Sequence, residues 1–220
     1  MIDTDVITNY IPLFVDGFFL TVKIGWLGIL LSFLIGIIAS AVLHFKVPVL
    51  SAVVKVYVEL FRNTPLLVQL FFIYYGLPVL GFHVSAEGCG IVGLGLLGGS
   101  YMTETIRSGL DAVPPSQTES AIALGMSRPQ VFWMIILPQA FSTSVPALVA
   151  NVIFLLKETS VFSAISLMDL MFTAKDLIGL YYDTTESLFL LVVFYIIILL
   201  PVSIAGTVIE KKARYKIFGS

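Results

Sequence analysis

The apolar run from Phe18 to Phe45, in which Lys23 is the only full charge, constrains the fold more than any other feature of the chain. At about 1.5 Å per residue, a helix of this length exceeds the roughly 20 residues that cross a bilayer. The whole chain has the same character, because 58% of its 220 residues are hydrophobic and 12% are charged. Ordinary soluble domains carry about 25% charged residues. The sequence therefore predicts an all-α integral membrane protein.

Five apolar segments are each long enough to span a membrane. They lie at residues 18–45, 56–80, 89–110, about 138–162 and 188–209. In the fourth segment, Pro146, Asn151, Lys157 and Glu158 predict an irregular, broken helix of the kind that lines cavities. We expect residues 1–220 to form a single transmembrane domain with five membrane-spanning helices.

Basic residues fall in alternate connections between these segments. Lys46, Lys55, Arg128 and the C-terminal stretch 211–216 lie on one side, whereas the other side is rich in acidic residues and holds Lys175. The side that is richer in lysine and arginine faces the cytoplasm in most membrane proteins. We therefore expect the N-terminus outside and the C-terminus in the cytoplasm.

Several other kinds of site are excluded by the residues present. A lone Cys89 cannot form an intramolecular disulfide or a cysteine-based metal site, and the net charge of −2 does not suggest a nucleic-acid partner. The spacing GxGxxG occurs at Gly93, Gly95 and Gly98, but it lies inside an apolar run. Glycines in such a run allow two helices to approach closely, so a dinucleotide-binding site is excluded. The chain has no GxxxxGK[ST] motif that could hold a nucleotide, so no bound cofactor is expected.

The segment from Pro114 to Pro138 differs from its surroundings, because its pattern is typical of a water-exposed helix between apolar runs. Ser116 with Glu119, and Ser127 with Gln130, have the three-residue spacing of capping boxes. The segment therefore predicts two short helices.

The turn between these two helices is expected at Gly125, which suits a left-handed C-terminal turn. Ala121, Leu124 and Gly125 share one face at helical spacing and would form a small, shallow apolar surface. Arg128 is the only basic residue in this segment, which excludes a DNA-binding helix-turn-helix because nucleic acid requires several phosphate contacts. A docking element and an ordinary connecting loop both remain open from the pattern alone.

The stretch ESAIALGMSRPQVFWMIILPQA resembles the cytoplasmic signature loop of ABC-importer permeases, with its Glu-Ala-Ala, Gly and Ile-x-Leu-Pro pattern. The matching residues are Glu119, Ala121, Gly125, Ile135, Leu137 and Pro138, and Ser120 stands where the family has its first alanine. Two other stretches, ELFRNTPLLVQLFFIYYGLP and FLLKETS, look like the polar amino acid branch of these importers. The resemblance extends from Val56 to the last predicted span.

This resemblance implies a fold like that of ABC type I importer permeases, with a cytoplasmic coupling loop at about 111–138. The residues that it places at the ATPase contact are Glu119, Ser120, Ala121, Leu124, Gly125 and Pro138. It also implies two ATPase subunits that use ATP and Mg, a second permease chain, an extracytoplasmic amino-acid-binding protein and a prokaryotic inner membrane with its lipids. The chain itself is then a permease and not an enzyme.

Polar side chains inside the spans are candidates for a translocation path. They are Arg62, Thr64, Gln69, Lys157, Glu158, Thr159 and Ser160. An ionised group at the centre of a bilayer costs about 2.5 to 3.5 kcal/mol, so such groups must face protein or water. An amino acid carries an ammonium and a carboxylate, and a site for it needs donors and acceptors of both signs. The resemblance favours a polar cavity for Lys157 and Glu158.

Plainer structural roles compete for several of these polar residues. The hydroxyls of Thr159 and Ser160 can bond back to a helix carbonyl, and Glu104 and Arg107, three residues apart, are expected to pair with each other. Lys157 and Glu158 diverge by about 100° on a helix and must find separate partners.

The sequence as a whole predicts the membrane-spanning subunit of an ATP-driven importer for a polar amino acid. One alternative is an ion-coupled secondary transporter, although such proteins usually show paired repeats and the chain has no convincing one. A membrane scaffold is the other alternative, and it would leave the polar groups in the spans without a role.

Overall fold

The computed structural model describes residues 3–218, and every regular element in that range is a helix. The α-helices are α1 (Thr4–His44), α2 (Leu50–Arg62), α3 (Leu66–Phe71), α4 (Leu77–Val79), α5 (Ala86–Asp111), α6 (Pro115–Ala123), α7 (Arg128–Val131), α8 (Leu137–Glu158), α9 (Leu170–Tyr181) and α10 (Thr184–Phe218). Two π-helical turns, Phe72–Gly76 and Phe132–Ile136, and a 3₁₀ segment, Thr159–Ile165, complete the described chain.

Three helical stretches are long and apolar enough to cross a membrane by themselves. They are Thr4–His44, Arg128–Ile165 and Thr184–Ala213. A fourth span results if α2 and the stretch Leu66–Val79 are taken together as one bent pair. The third predicted span, residues 89–110, coincides with α5, whose 26 residues are long enough for a bilayer but whose many glycines and charged last turns make it less apolar. The prediction of an all-α membrane fold is confirmed.

The centre of the bundle is the contact between α1 and α5. A Cβ atom added to Gly95 of α5 would lie 2.5 Å from Leu31 Cδ2, and one added to Gly36 of α1 would lie 2.5 Å from Met102 Cβ. Glycines on both helices thus bring the two backbones close together, as the sequence predicted for the GxGxxG stretch. At one end of this contact, the Lys23 ammonium pairs with the Glu87 carboxylate at 2.7 Å.

The first helix begins much earlier than the predicted Phe18. The Asp3 side chain accepts a hydrogen bond from the Asp5 N–H at 2.9 Å and so caps the helix that starts at Thr4. Within the added turns, Phe14 is fully buried and stacks on Phe194 of α10, with ring centroids 5.6 Å apart. A cap and a packing partner therefore extend the helix beyond the predicted span.

The second predicted span, residues 56–80, is not one continuous helix. The chain bends by 107° between α2 and the stretch Leu66–Val79. Pro65 stands at the N-cap of α3, where it has no N–H to donate and disfavours the helical conformation at Thr64. These two effects end α2 at Arg62 and start a new helix in another direction.

The fourth span is irregular beside Lys157 and Glu158, as expected, but not at Pro146. The helix α8 runs without interruption through Pro146, and the irregular part begins only after Glu158, where the 3₁₀ segment starts. Membrane helices tolerate proline where neighbouring helices or side chains satisfy the freed backbone groups.

The acidic connection before the last span is partly helical, which the sequence did not predict. It contains α9, whose first turn is capped by the buried Asp169: one carboxylate oxygen accepts a hydrogen bond from the Phe172 N–H at 2.9 Å. The last helix, α10, then extends beyond both ends of the predicted span 188–209.

A Gly36→Ala substitution should destabilise the α1–α5 contact. The added methyl group would lie within 3.2 Å of the α5 backbone at Met102 and Thr103, which cannot move aside as a flexible side chain could. We expect a loss of about 1–3 kcal/mol, the range typical of overpacked cores. Thermal unfolding of the purified chain in detergent measures it. Gly179→Ala is the control, because a Cβ at Gly179 meets nothing within 4 Å; equal melting temperatures for both variants would contradict this account.

Candidate functional site

The break between α2 and α3 is stabilised by side chains that the sequence assigned to a translocation path. Gln69 Nε2 donates hydrogen bonds to the carbonyl oxygens of Phe61, at 3.0 Å, and Thr64, at 2.9 Å. Thr64 Oγ1 donates in turn to the Leu60 carbonyl at 2.7 Å. These bonds satisfy backbone oxygens that the bend would leave without partners.

The side-chain oxygen of Gln69 takes no part in these hydrogen bonds. The residue is buried, and its Oε1 atom has no hydrogen-bond partner within the described part of the chain. Buried acceptors without a partner are uncommon in folded proteins. Gln69 therefore combines a capping role with a free acceptor at the helix break.

Arg62, the last residue of α2, lies over an aromatic pair. Its guanidinium carbon is 5.5 Å from the centroid of the Tyr101 ring in α5, and Tyr101 contacts Phe154 of α8, ring centroid to ring centroid, at 5.3 Å. This cation–π arrangement connects three helices. No carboxylate among residues 3–218 forms an ion pair with Arg62.

The second irregular backbone segment begins at Thr159. Its hydroxyl is fully buried and donates to the Leu156 carbonyl at 2.7 Å, with Tyr195 Oη 3.4 Å away. This is the hydrogen bond to a helix carbonyl that was the plainer structural alternative for Thr159. Thr159 therefore stabilises the change from α-helix to 3₁₀ geometry.

The residues on either side of Thr159 have different surroundings. Lys157 and Ser160 line a groove of about 650 Å³ against Tyr195 and other residues of α10. Glu158 is half-buried, does not line that groove, and has no ion-pair partner in the described chain. Adjacent residues on a helix point in different directions, and this separation matches the divergence expected for Lys157 and Glu158.

The two irregular segments are neighbours in the fold. The helix α3 packs against the 3₁₀ segment, which brings the element that carries Gln69 beside the element that begins with Thr159. Phe154, which supports the Tyr101 ring under Arg62, lies one helical turn before Glu158. The seven predicted path residues thus lie at or beside the two breaks, and two of them, Lys157 and Ser160, also line the α10 groove.

Several polar contacts near this region were only partly foreseen. The expected ion pair between Glu104 and Arg107 is present, and Arg107 Nη1 also bonds Asp111 Oδ2 at 2.7 Å. The four-residue spacing from Arg107 to Asp111 could have predicted the second bond. No sequence signal indicated that Asn151 Nδ2 would donate to Thr105 Oγ1 at 2.9 Å, because that contact joins α5 and α8.

The signature stretch begins with the short helix α6 and has a left-handed turn at Gly125, where φ is +85°, as predicted. The prediction of a second short helix was wrong, because the helical path that starts at Arg128 continues through Pro138 into α8. The predicted capping box of Ser116 and Glu119 is wrong, since Pro114 occupies the N-cap of α6 and no side chain bonds to that end. At the second helix, the Ser127 N–H does donate to Gln130 Oε1, at 2.9 Å.

The residues assigned to ATPase contact do not share one face. Ala121 is 5% exposed and packs inward, whereas Leu124 is 84% exposed and a Cβ at Gly125 would meet nothing within 4 Å. The helix ends at Ala123, so Leu124 and Gly125 no longer follow its periodicity. Glu119 and Ser120 are exposed, and Pro138 lies exposed in the first turn of α8 without interrupting the helical path.

Comparison with known proteins identifies similar chains over most of the sequence. Residues 32–215 match the family described as the binding-protein-dependent transport system inner membrane component. A probable glutamine ABC transporter permease protein, GlnP, of Bacillus subtilis is 38% identical over 164 residues, which cover 74% of this chain and 75% of that one. The arginine transport system permease protein ArtQ of the same organism is 31% identical over 205 residues, covering 93% and 94%.

Solved structures agree with this comparison. A chain from the crystal structure of an amino acid ABC transporter with histidines superimposes with a TM-score of 0.89 at 31% identity, covering 96% of this chain and 99% of that one. A chain of the inward-facing MetNI methionine ABC transporter has the same fold, with a TM-score of 0.77 at 21% identity, over 91% and 96% of the two chains.

A Gln69→Leu substitution should loosen the bend between α2 and α3. It removes both hydrogen bonds to the Phe61 and Thr64 carbonyls, and a buried acceptor left without a partner costs about 1–3 kcal/mol. A lower melting temperature and faster proteolysis within residues 60–70 are expected. Gln117→Leu, at an exposed position of α6, is the matched control. If both variants melt and are cleaved alike, Gln69 has no capping role.

Proposed function

The chain belongs to the family of binding-protein-dependent transport system inner membrane components, and we propose that it forms the translocation path of an ATP-driven importer for a polar amino acid. The match over residues 32–215, together with relatives named for glutamine and arginine transport, carries this proposal. The sequence has no P-loop motif, so ATP would be hydrolysed by separate subunits. Nothing among the relatives favours a secondary transporter.

The proposed assembly contains two permease chains around one path, two ATPase subunits that use ATP and Mg, and a binding protein that delivers the amino acid from outside. The N-terminus would lie outside and the C-terminus in the cytoplasm of a prokaryotic cell. The basic residues support this orientation, since Lys46 and Arg128 lie near each other at the end of the bundle that carries α6, where the Phe45 and Phe132 ring centroids are 5.9 Å apart.

The contact with the ATPase is proposed at α6 and the turn that follows it. Leu124 is the most exposed large apolar side chain of this segment, and Ile122, on α6, is 49% exposed. Two apolar side chains exposed at a polar end of the molecule are suited to fill a groove on a partner. Ala121 would anchor α6 to its own chain from the inner side.

Motion at this contact would reach the translocation path through one continuous helical unit. From Arg128 to Ile165 the chain passes through α7, a π-helical turn, α8 and the 3₁₀ segment without a sharp bend. A displacement of the turn at Gly125 would therefore move Glu158 at the far end of α8. Rigid-body movement of such a unit is a recognised way to switch between two states.

Amino acid recognition is proposed at the two irregular segments. Arg62 and Glu158 are charges of opposite sign without ion-pair partners in the described chain. They suit the carboxylate and the ammonium of an amino acid, respectively, and the free Oε1 of Gln69 offers a further acceptor. Thr64, Thr159 and Ser160 would shape the backbone of the path, and Lys157 would line the groove beside α10.

A Leu124→Asp substitution should weaken ATPase association. A carboxylate in an apolar groove of the partner would lose its hydration, and removal of one interface anchor typically costs about 2 kcal/mol or more. Co-purification of the ATPase subunits with the tagged chain measures the effect. The control is Leu80→Asp, at a 66% exposed leucine near the opposite end of α5. Full retention of the ATPase by Leu124→Asp would place the contact elsewhere.

Uptake by the reconstituted complex tests the proposed function and the role of Glu158 separately. Proteoliposomes with all subunits should accumulate labelled glutamine or arginine only when ATP is present, and Glu158→Gln should reduce uptake about tenfold or more, equivalent to roughly 1.4 kcal/mol. Glu210→Gln in α10 is the control. Uptake driven by an ion gradient without ATPase subunits would refute the importer, whereas unchanged uptake in Glu158→Gln would remove only that residue from the path.

A further inference from the structure

A continuous groove between α1, α5, the second π-helical turn and α8 lies outside the proposed translocation path. The geometry points to a binding site there for an anionic phospholipid, with one acyl chain in an apolar slot and the phosphate at Arg128. The inference concerns the outer side of the bundle and does not depend on which solute is transported.

The apolar slot has a volume of about 510 Å³ and runs along α1 from Phe33 to His44. At the rise of an α-helix this distance is about 16 Å. Its other walls are side chains of α5 and α8, among them Ile106, Leu110 and Leu148. The volume lies within the range of about 300 to 1,000 Å³ that small-molecule sites occupy.

The hydroxyl groups in the slot are already engaged, so the slot offers little to a polar ligand. Ser40 Oγ donates to the Ile37 carbonyl at 3.0 Å, and Ser144 Oγ donates to the Ala140 carbonyl at 2.8 Å. The remaining polar side chain of the lining, His44, lies at the end of the slot beside Phe45. The apolar part of the slot accepts hydrocarbon. A free amino acid or a peptide backbone would lose its hydrogen bonds to water there without replacement.

The slot continues into a second cavity with a polar rim. This cavity, of about 580 Å³, shares Phe45, Phe132 and Trp133 with the slot. It adds Thr118 and Arg128, together with Ile122 beside the proposed ATPase contact. Phe45 and Trp133 are 64% and 65% exposed, as expected of aromatic side chains at a membrane surface.

Arg128 supplies the charge at this rim. It is exposed and forms no ion pair with any residue in the described range, so its guanidinium is available to a ligand. Arginine binds phosphate through two parallel hydrogen bonds. A cation at the mouth of an apolar slot, beside an aromatic rim, matches a lipid that carries a phosphate and no compensating positive group.

Lipid binding to the full chain in detergent tests the site. We expect native mass spectrometry to show phosphatidylglycerol bound about fivefold more tightly than phosphatidylcholine, and Arg128→Gln to abolish this preference. Lys55→Gln, at another exposed basic position, is the control and should keep it. A preference that persists in Arg128→Gln would overturn the assignment of the headgroup site.

A bulky side chain placed in the slot tests whether an acyl chain binds there. Ala41→Phe should displace phosphatidylglycerol, whereas Ala52→Phe on the exposed side of α2 should not, with circular dichroism confirming equal helix content. Glycerol phosphate, which has the anion but no acyl chain, should fail to compete at equal concentration. If it competes as well as the lipid, or if Ala41→Phe retains the lipid, the groove is an anion site or a protein contact and the lipid site is refuted.

Discussion

The close approach of α1 and α5 is the contact on which the rest of the structure depends. Glycines on both helices, Gly36 on one and Gly95 on the other, leave room for Met102 and Leu31 of the opposite helix. In lipid no hydrophobic force drives two apolar helices together, so tight packing of this kind must supply the association. With α5 held in the centre, α2, α3 and α8 each pack against one of its sides.

Around this rigid centre, two breaks in the helical backbone contact each other. Pro65 breaks one helix, and the 3₁₀ segment ends another, and side chains of Gln69 and Thr159 satisfy the carbonyl oxygens nearby. Irregular backbone inside a membrane survives only where protein or a cavity surrounds it. The polar residues of the proposed path therefore lie where the fold can tolerate them, and α8 connects them to the surface that we assign to the ATPase.

Local rules predicted much of this arrangement, and tertiary contacts decided the rest. Apolar length located the spans, Gly125 located the left-handed turn, and spacing gave the Glu104–Arg107 pair. The inward orientation of Ala121 was missed because it depends on the packing of α6 against the rest of the chain. The stack of Arg62 on Tyr101 joins helices far apart in sequence, and no periodicity within one segment can indicate such a contact.

The moderate hydropathy of α5 has a consequence for how the protein is made. A helix with so many glycines and a Glu104–Arg107–Asp111 cluster has a less favourable free energy of transfer into lipid than its neighbours do. When α5 leaves the ribosome, α1 is already synthesised and offers a glycine-lined surface against which α5 can pack. The order of the helices along the gene thus lets the most apolar early segment act as a template for the least apolar one during insertion.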